Sequence, residues 1–198
     1  MYKAEKFNVE NIEYKKAEME SIITLAQKGD IRATEELIRR IQKNVFGMYS
    51  YLADKRQDVA DLTQEALIKT AKCISSLNDV HCFKSWLNHI VTNTFYDYTR
   101  KHSSEKNIEY ENEDKLLEIK DKIGCEPGEK CLFSEMDKII KIALLSLPEN
   151  LRIAILLREY EGLSYEDISK LTKTTIGTVK SLISRARFKL QQQLKEFI

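Results

Sequence analysis

Glycine and proline are scarce, with six Gly and two Pro among 198 residues. A protein of strands and tight turns needs more of both. Set beside abundant Lys, Glu, Leu and Ile, the shortage favours long helices. No apolar run approaches the ~18–20 residues that span a bilayer. The first residues, MYKAEKFNVENIEYKK, carry charges where a signal peptide needs an apolar core, so the chain is expected in the cytoplasm. Its four cysteines are then expected as free thiols. Histidine is limited to His81, His89 and His102, and neither these nor Cys73, Cys82, Cys125 and Cys131 show a zinc spacing. No nucleophile–base pair, phosphate loop or paired-carboxylate motif stands out, so neither enzyme activity, metal nor cofactor is expected. A large net charge is also lacking, the formal total being +1. The charge is instead segregated along the chain.

What is present is helical periodicity. Residues 1–20 are polar and read as an N-terminal extension. From about residue 21 apolar positions recur at spacings of three and four: Ile22, Ile23, Leu25 and Ala26, then Ala33, Leu37, Ile38, Ile41, Val45, Phe46 and Tyr49. A further helix is expected from Asp58, as N-cap, to about Leu77, and another from about Cys82 to Lys101. Between Ser103 and Glu135 there are ten acids and five lysines, with few apolar residues, which reads as a flexible acidic linker over 103–136. Helical patterns resume at Met136, with Pro148 near the first turn of a helix that Gly162 closes. The expected fold is all-α: two small helical domains, 21–102 and 137–198, joined by the linker.

The C-terminal segment has the plan of a helix–turn–helix. Ser164 is placed to cap a short helix, with Asp167 three residues on in a capping-box position. Lys173 and Thr174 form the turn, and Thr175 caps a longer helix. On that helix Ile176, Val179, Ile183, Ala186 and Leu190 are expected to pack inward. Thr175, Gly177, Thr178, Lys180, Ser181, Ser184 and Arg185 remain on or beside the other face, with Arg187 just beyond. From Thr172 to Lys195 there are six cations and no acid. Small hydroxylic residues let a helix approach base edges, and Lys and Arg bind phosphates or guanine acceptors. A C-terminal amphipathic helix with cations favoured by its dipole would give the basic run alone.

Two N-terminal segments also stand out. DVADLTQEALIKTA (58–71) sets Asp61, Gln64 and Glu65 opposite the apolar stripe, which suits a basic protein partner. An ordinary solvated face is the commoner meaning of such a cluster. FKSWLNHIVTNTFYDYTRK (83–101) combines aromatics with a basic end. Phe95, Tyr96 and Tyr98 cannot share one buried face, and an aromatic beside Arg100 and Lys101 suits stacking with single-stranded bases. Trp86 and Phe95 are expected in the core.

In order and spacing, DVADLTQEA (58–66), SWLNHIVTN (85–93), DYTRK (97–101), SLPENLR (146–152), EGLSYEDIS (161–169), IGTVKS (176–181) and RAR (185–187) resemble the bacterial sigma-70 family. The resemblance is to the compact extracytoplasmic-function (ECF) type with sigma domains 2 and 4. It implies an RNA polymerase sigma factor that binds core polymerase and promoter DNA. By that resemblance Asp61, Gln64 and Glu65 would meet the clamp helices of the beta-prime subunit. The loop Ser75–His81 would capture a flipped base, and Asn93, Tyr96, Asp97, Arg100 and Lys101 would hold the minus-ten element. Domain 4 would bind the beta flap and read the minus-thirty-five element through Thr175, Gly177, Thr178, Lys180, Ser181, Ser184, Arg185 and Arg187. An anti-sigma factor is a further partner the resemblance admits. The sequence departs from the family at Lys173, where the turn usually has Gly, at Thr174, usually aliphatic, and at Leu182, often Arg. The competing reading is a free-standing helix–turn–helix regulator that does not depend on polymerase.

Overall fold

The computed structural model describes residues 13–103 and 135–195. Almost all of the acidic linker expected over 103–136, with Cys125 and Cys131, lies outside the described residues, as does most of the 1–20 extension. Among the described residues the regular structure is helical throughout, with no strand. The first bundle holds α1 (Met19–Gln27), α2 (Ile31–Leu52), α3 (Arg56–Cys73) and α4 (Phe83–Ser103), with short 3₁₀ turns at Ile74–Ser76 and Val80–Cys82. The second holds α5 (Glu135–Leu145), α6 (Glu149–Glu159), α7 (Tyr165–Thr172) and α8 (Ile176–Leu194).

Local chemistry sets most boundaries. Asp30 caps α2 by accepting from the Ala33 N–H at 3.0 Å, after Gly29 turns the chain at φ 87°. α3 starts at Arg56, two residues before the expected Asp58 cap, and Lys55 provides no side-chain cap. Asp58 instead accepts a 2.7 Å hydrogen bond from the Tyr98 hydroxyl, tying the start of α3 to the end of α4. α3 also ends at Cys73 rather than continuing to Leu77. Ile74 and Leu77 are still buried, carried by the 3₁₀ turn and the loop after it.

The first core is built on α2, which buries Ala33, Leu37, Val45, Met48, Tyr49 and Leu52 against α1, α3 and α4. Each fully buried Leu, Val or Met side chain contributes roughly 1.5–3 kcal/mol. The fully buried Tyr49 donates to the Val91 carbonyl of α4 at 2.9 Å, so its polar end is satisfied. Residues 13–17, part of the expected extension, form a turn held to this bundle. Tyr14 donates to Asp30 at 2.9 Å, and Arg40 donates to the Tyr14 and Lys15 carbonyls. Glu36 orients Arg40 and Arg39 at 2.7 and 2.6 Å. Those two guanidinium hydrogen bonds hold its carboxyl at about 2.

In the second bundle α8 packs across α6 and α7, with Leu157, Ile168, Val179, Ile183 and Ala186 at the centre. The two bundles share one continuous core: α5 and α6 rest on α2, and α7 touches α4.

Candidate nucleic-acid and protein interfaces

Three hydroxyl-bearing residues shape the helix–turn–helix. Ser164 accepts from the Asp167 N–H at 3.0 Å, which makes the cap, and its hydroxyl donates to the Asp167 carboxylate at 2.6 Å. Thr175 accepts from the Thr178 N–H at 3.1 Å and starts α8. Between them the chain turns through Lys173 at φ 54° and ψ 39°, the one positive-φ residue other than glycine among those described. An L side chain is disfavoured in this left-handed region. The turn is braced by Thr174 N–H donating to the Ser169 carbonyl at 3.1 Å and by Ser169 Oγ donating to the Thr174 carbonyl at 2.6 Å. Ser169 thus supplies what the missing glycine does not.

On α8 the expected reading face is exposed: Thr175, Gly177, Thr178, Lys180, Ser181, Ser184, Arg185 and Arg187 all reach solvent. Arg187 is set apart. It donates through Nε and Nη2 to Glu159 of α6 at 3.1 and 2.5 Å, and this pairing raises its already high pKa. One assignment on α8 is corrected. Ile176, expected inside, is 38% exposed, because the first helical residue leans back beyond the turn. Leu182, where the family often has Arg, is buried with Val179, Ile183 and Ala186. Phe188, at 62% exposure, stands on the outward face one turn after Ser184, and no sequence signal singled it out.

On α4, Arg100 and Lys101 are exposed, while Asn93, Tyr96 and Asp97 are half-buried. Phe95 is buried as expected, and Trp86 is half-buried with its ring 5.9 Å from Phe83. The rings of Phe95, Tyr98 and His102 follow one another at 6.2 and 4.2 Å, so an aromatic column runs from the core to the surface beside the basic end. Burial, and then the bond to Asp58, push the Tyr98 phenol up, which keeps it a donor at all ordinary pH. Asn93 Nδ2 lies 2.7 Å from His89 Nδ1, and Asp97 accepts from Arg100 at 2.8 Å. The loop 75–81 ends with Asp79 accepting from the His81 N–H at 2.9 Å.

On α3, Asp61, Gln64 and Glu65 are exposed together. Beside them lies an apolar groove of about 480 Å³, lined by Ile38, Phe46, Leu67 and Ile68 among others. Ile68 is 45% and Phe46 38% exposed. This apolar half of the face went unseen in the sequence, although Ile68 falls outside the buried stripe and so carries a signal. Lys69 joins the α3 face to α4: its Nζ lies 2.7 Å from Glu65, 3.1 Å from Thr94 Oγ1 and 3.9 Å from Asp97. Among the described residues, no three His, Cys, Asp or Glu side chains converge as a metal site. No helix among them is long and apolar enough to cross a membrane.

Comparison with known proteins gives a consistent result. Residues 37–105 match the model of sigma-70 region 2, and residues 139–190 match that of sigma-70 region 4. The ECF RNA polymerase sigma-E factor of Haemophilus influenzae is 34% identical over 182 residues, covering 89% of this chain and 95% of that protein. The Escherichia coli K12 sigma-E factor is 35% identical over 183 residues, covering 89% and 94%. Among solved structures, the sigma factor RpoE of Bartonella quintana, in complex with the anti-sigma factor NepR, matches with a TM-score of 0.63 at 27% identity. That match covers 83% of this chain and 98% of the other. CnrH, at 20% identity and a TM-score of 0.60, shares the fold over 89% of this chain. From its matched regions and its full-length likeness to sigma-E factors, the chain belongs to the ECF group of the sigma-70 family.

Proposed function

We propose that this chain is a promoter-specificity subunit of RNA polymerase, working in the cytoplasm by binding rather than catalysis. The observation that carries the reading is the likeness, over 89% of the chain, to proteins described as ECF sigma-E factors. In this reading the acidic and apolar face of α3, with Asp61, Gln64, Glu65 and Ile68, docks on a basic helical surface of core polymerase, the beta-prime clamp helices. The second bundle docks on the beta flap. α8 enters the major groove of the minus-thirty-five element with Thr175, Gly177, Thr178, Lys180, Ser181, Ser184 and Arg185 toward the DNA. Arg187 joins them only by leaving Glu159. The surface end of the aromatic column on α4, with Asn93, Tyr96, Asp97, Arg100 and Lys101, holds the unpaired strand of the minus-ten element, where stacking and charge act together.

An anti-sigma factor belongs to this reading as a third partner, supported by the RpoE–NepR complex. A free-standing regulator would use α8 but has no need of the exposed α3 face, and the full-length relatives do not favour it. The test is charge reversal: Asp61→Arg with Glu65→Arg should abolish co-purification with core polymerase while the circular dichroism spectrum stays helical. Undiminished binding would remove α3 from the polymerase interface.

A further inference from the structure

Phe188 is 62% exposed in the second half of α8. A lone exposed aromatic is ordinary on a protein surface, and what singles this one out is its register. At about 100° per residue, Phe188 lies directly opposite the wholly buried Val179 on the helix. The outward line of α8 therefore runs through Gly177, Ser181, Ser184 and Phe188, all exposed. The four fall within an arc of about 60°. Lys180 borders the line on one side and Arg185 on the other.

The line is small at three positions and large at the fourth. Its smallness is not demanded by the fold. A Cβ at Gly177 would meet only Thr175 Oγ1, at 3.7 Å, and Gly177 is not among the positive-φ glycines. Glycine in a helix costs stability relative to alanine. What the bare position permits is close approach of something outside the chain. In the sigma-factor reading that is the floor of a DNA major groove. Lys180 and Arg185 then face the phosphate rims, and the line between them faces base edges.

The direction of the side chain decides which part of the DNA Phe188 meets. Its Cα lies ~18 Å along the axis from Ile176, at ~1.5 Å per residue. A helix crossing a groove about 12 Å wide carries that point to the far rim. Helical side chains, however, lean toward the N-terminus and cover the surface of the preceding turn. The ring therefore covers the spot of Ser184, ~12 Å along the axis and still within the groove. A serine fills little of that spot. A phenyl ring offers neither charge nor a hydrogen bond, so phosphates and polar base edges do not suit it. One apolar group projects into the major groove, the 5-methyl of thymine, and phenylalanine is a side chain that contacts it.

We propose that Phe188 is a specificity-determining residue that reads a thymine methyl in the upstream promoter element, beside the bases that Ser184 approaches. This inference deepens the sigma-factor reading and rests on α8 as its DNA-reading helix.

The test uses the full chain with core polymerase and an upstream element that this holoenzyme has selected from random DNA. A second duplex carries deoxyuridine at every thymine of that element, which removes the methyl groups and keeps the pairing. Transcript yield at limiting holoenzyme is compared for the parent, Phe188→Ala and Phe188→Leu. The parent should lose about fourfold or more on the deoxyuridine duplex, the factor for one buried methyl. Phe188→Ala should be about that much weaker on the thymine duplex and lose little further, while Phe188→Leu keeps part of the sensitivity. Comparing losses within each variant isolates the contact between ring and methyl. No loss in the parent, or equal losses in the parent and Phe188→Ala, overturns the proposal. So does lost core binding in Phe188→Ala, which would place the ring on polymerase instead. If the parent chain fails to initiate with core, the sigma-factor reading falls. The same two duplexes are then bound by the chain alone in a gel-shift assay. The same coupling there upholds Phe188 as the reader, and no coupling or no binding overturns it.

Discussion

Lys173→Gly should stabilise this protein. The residue sits at φ 54° and ψ 39° between α7 and α8, where a Cβ costs about 1–2 kcal/mol relative to glycine. Glycine gives back about 0.5–1 kcal/mol of that through its greater freedom in the unfolded chain. The Lys173 side chain is exposed, so its removal takes little packing with it. The backbone bonds that close the turn, from Lys173 N–H to the Lys170 carbonyl at 3.4 Å and from Thr174 N–H to the Ser169 carbonyl at 3.1 Å, are available to either residue. The net gain is about 0.5–1 kcal/mol. For a cooperative body of about 150 residues it raises the thermal midpoint by about 1–4 °C. Circular dichroism at a helical wavelength reads the shift. Lys173→Val, β-branched and worse in this region, should move the midpoint down. A glycine variant that melts below the parent would show that the turn is not strained, and the account of Ser169 as a brace would fall with it.

Other expectations follow from the same geometry. Lys180→Ala with Arg185→Ala should weaken recognition of the upstream element about tenfold or more while leaving core binding intact; lost core binding would contradict the role given to α8. Glu36 has its carboxyl held at about 2, below its unfolded value near 4.5, so its contribution is complete above about pH 4.5 and fades as pH falls toward 2. Glu36→Gln should therefore lower the urea midpoint at pH 7 by more than at pH 3, and an equal loss at both would contradict the pairing with Arg39 and Arg40. The Asp79 carboxylate, and then burial, push the Cys82 thiol up, so Asp79→Asn should speed alkylation of Cys82 at pH 8, read by peptide mass spectrometry. An unchanged rate would mean that the thiol does not feel that charge.

What the sequence made legible was local. Ser164 with Asp167, Thr175 and Gly162 act within three or four residues of themselves, and each does what its type and position imply. The solvent-facing residues of α8 followed from helical periodicity, except at the helix start, where Ile176 has no preceding turn to cover it. The apolar stripe of α8 is also wider than a narrow reading allows, which is why Leu182 lies inside. Asp58 shows the other limit. Its type suits a cap, yet its partner is Tyr98, 40 positions away. The burial of Glu161 was illegible for the same reason, since its hydrogen-bond donors Asn44 and Asn88 lie 117 and 73 positions from it. Polar residues that meet only on folding look like solvated ones in a sequence. The apolar half of the α3 face escaped in a different way: Phe46 fits the α2 stripe and still reaches solvent at the groove.

The most direct measurement is reconstitution with bacterial core RNA polymerase. The chain is mixed with core, and run-off transcripts are read from the DNA upstream of its own coding region. The account predicts a stable complex and initiated transcripts that depend on the chain. Tight binding to promoter duplex by the chain alone, with no association with core and no transcripts, would contradict it.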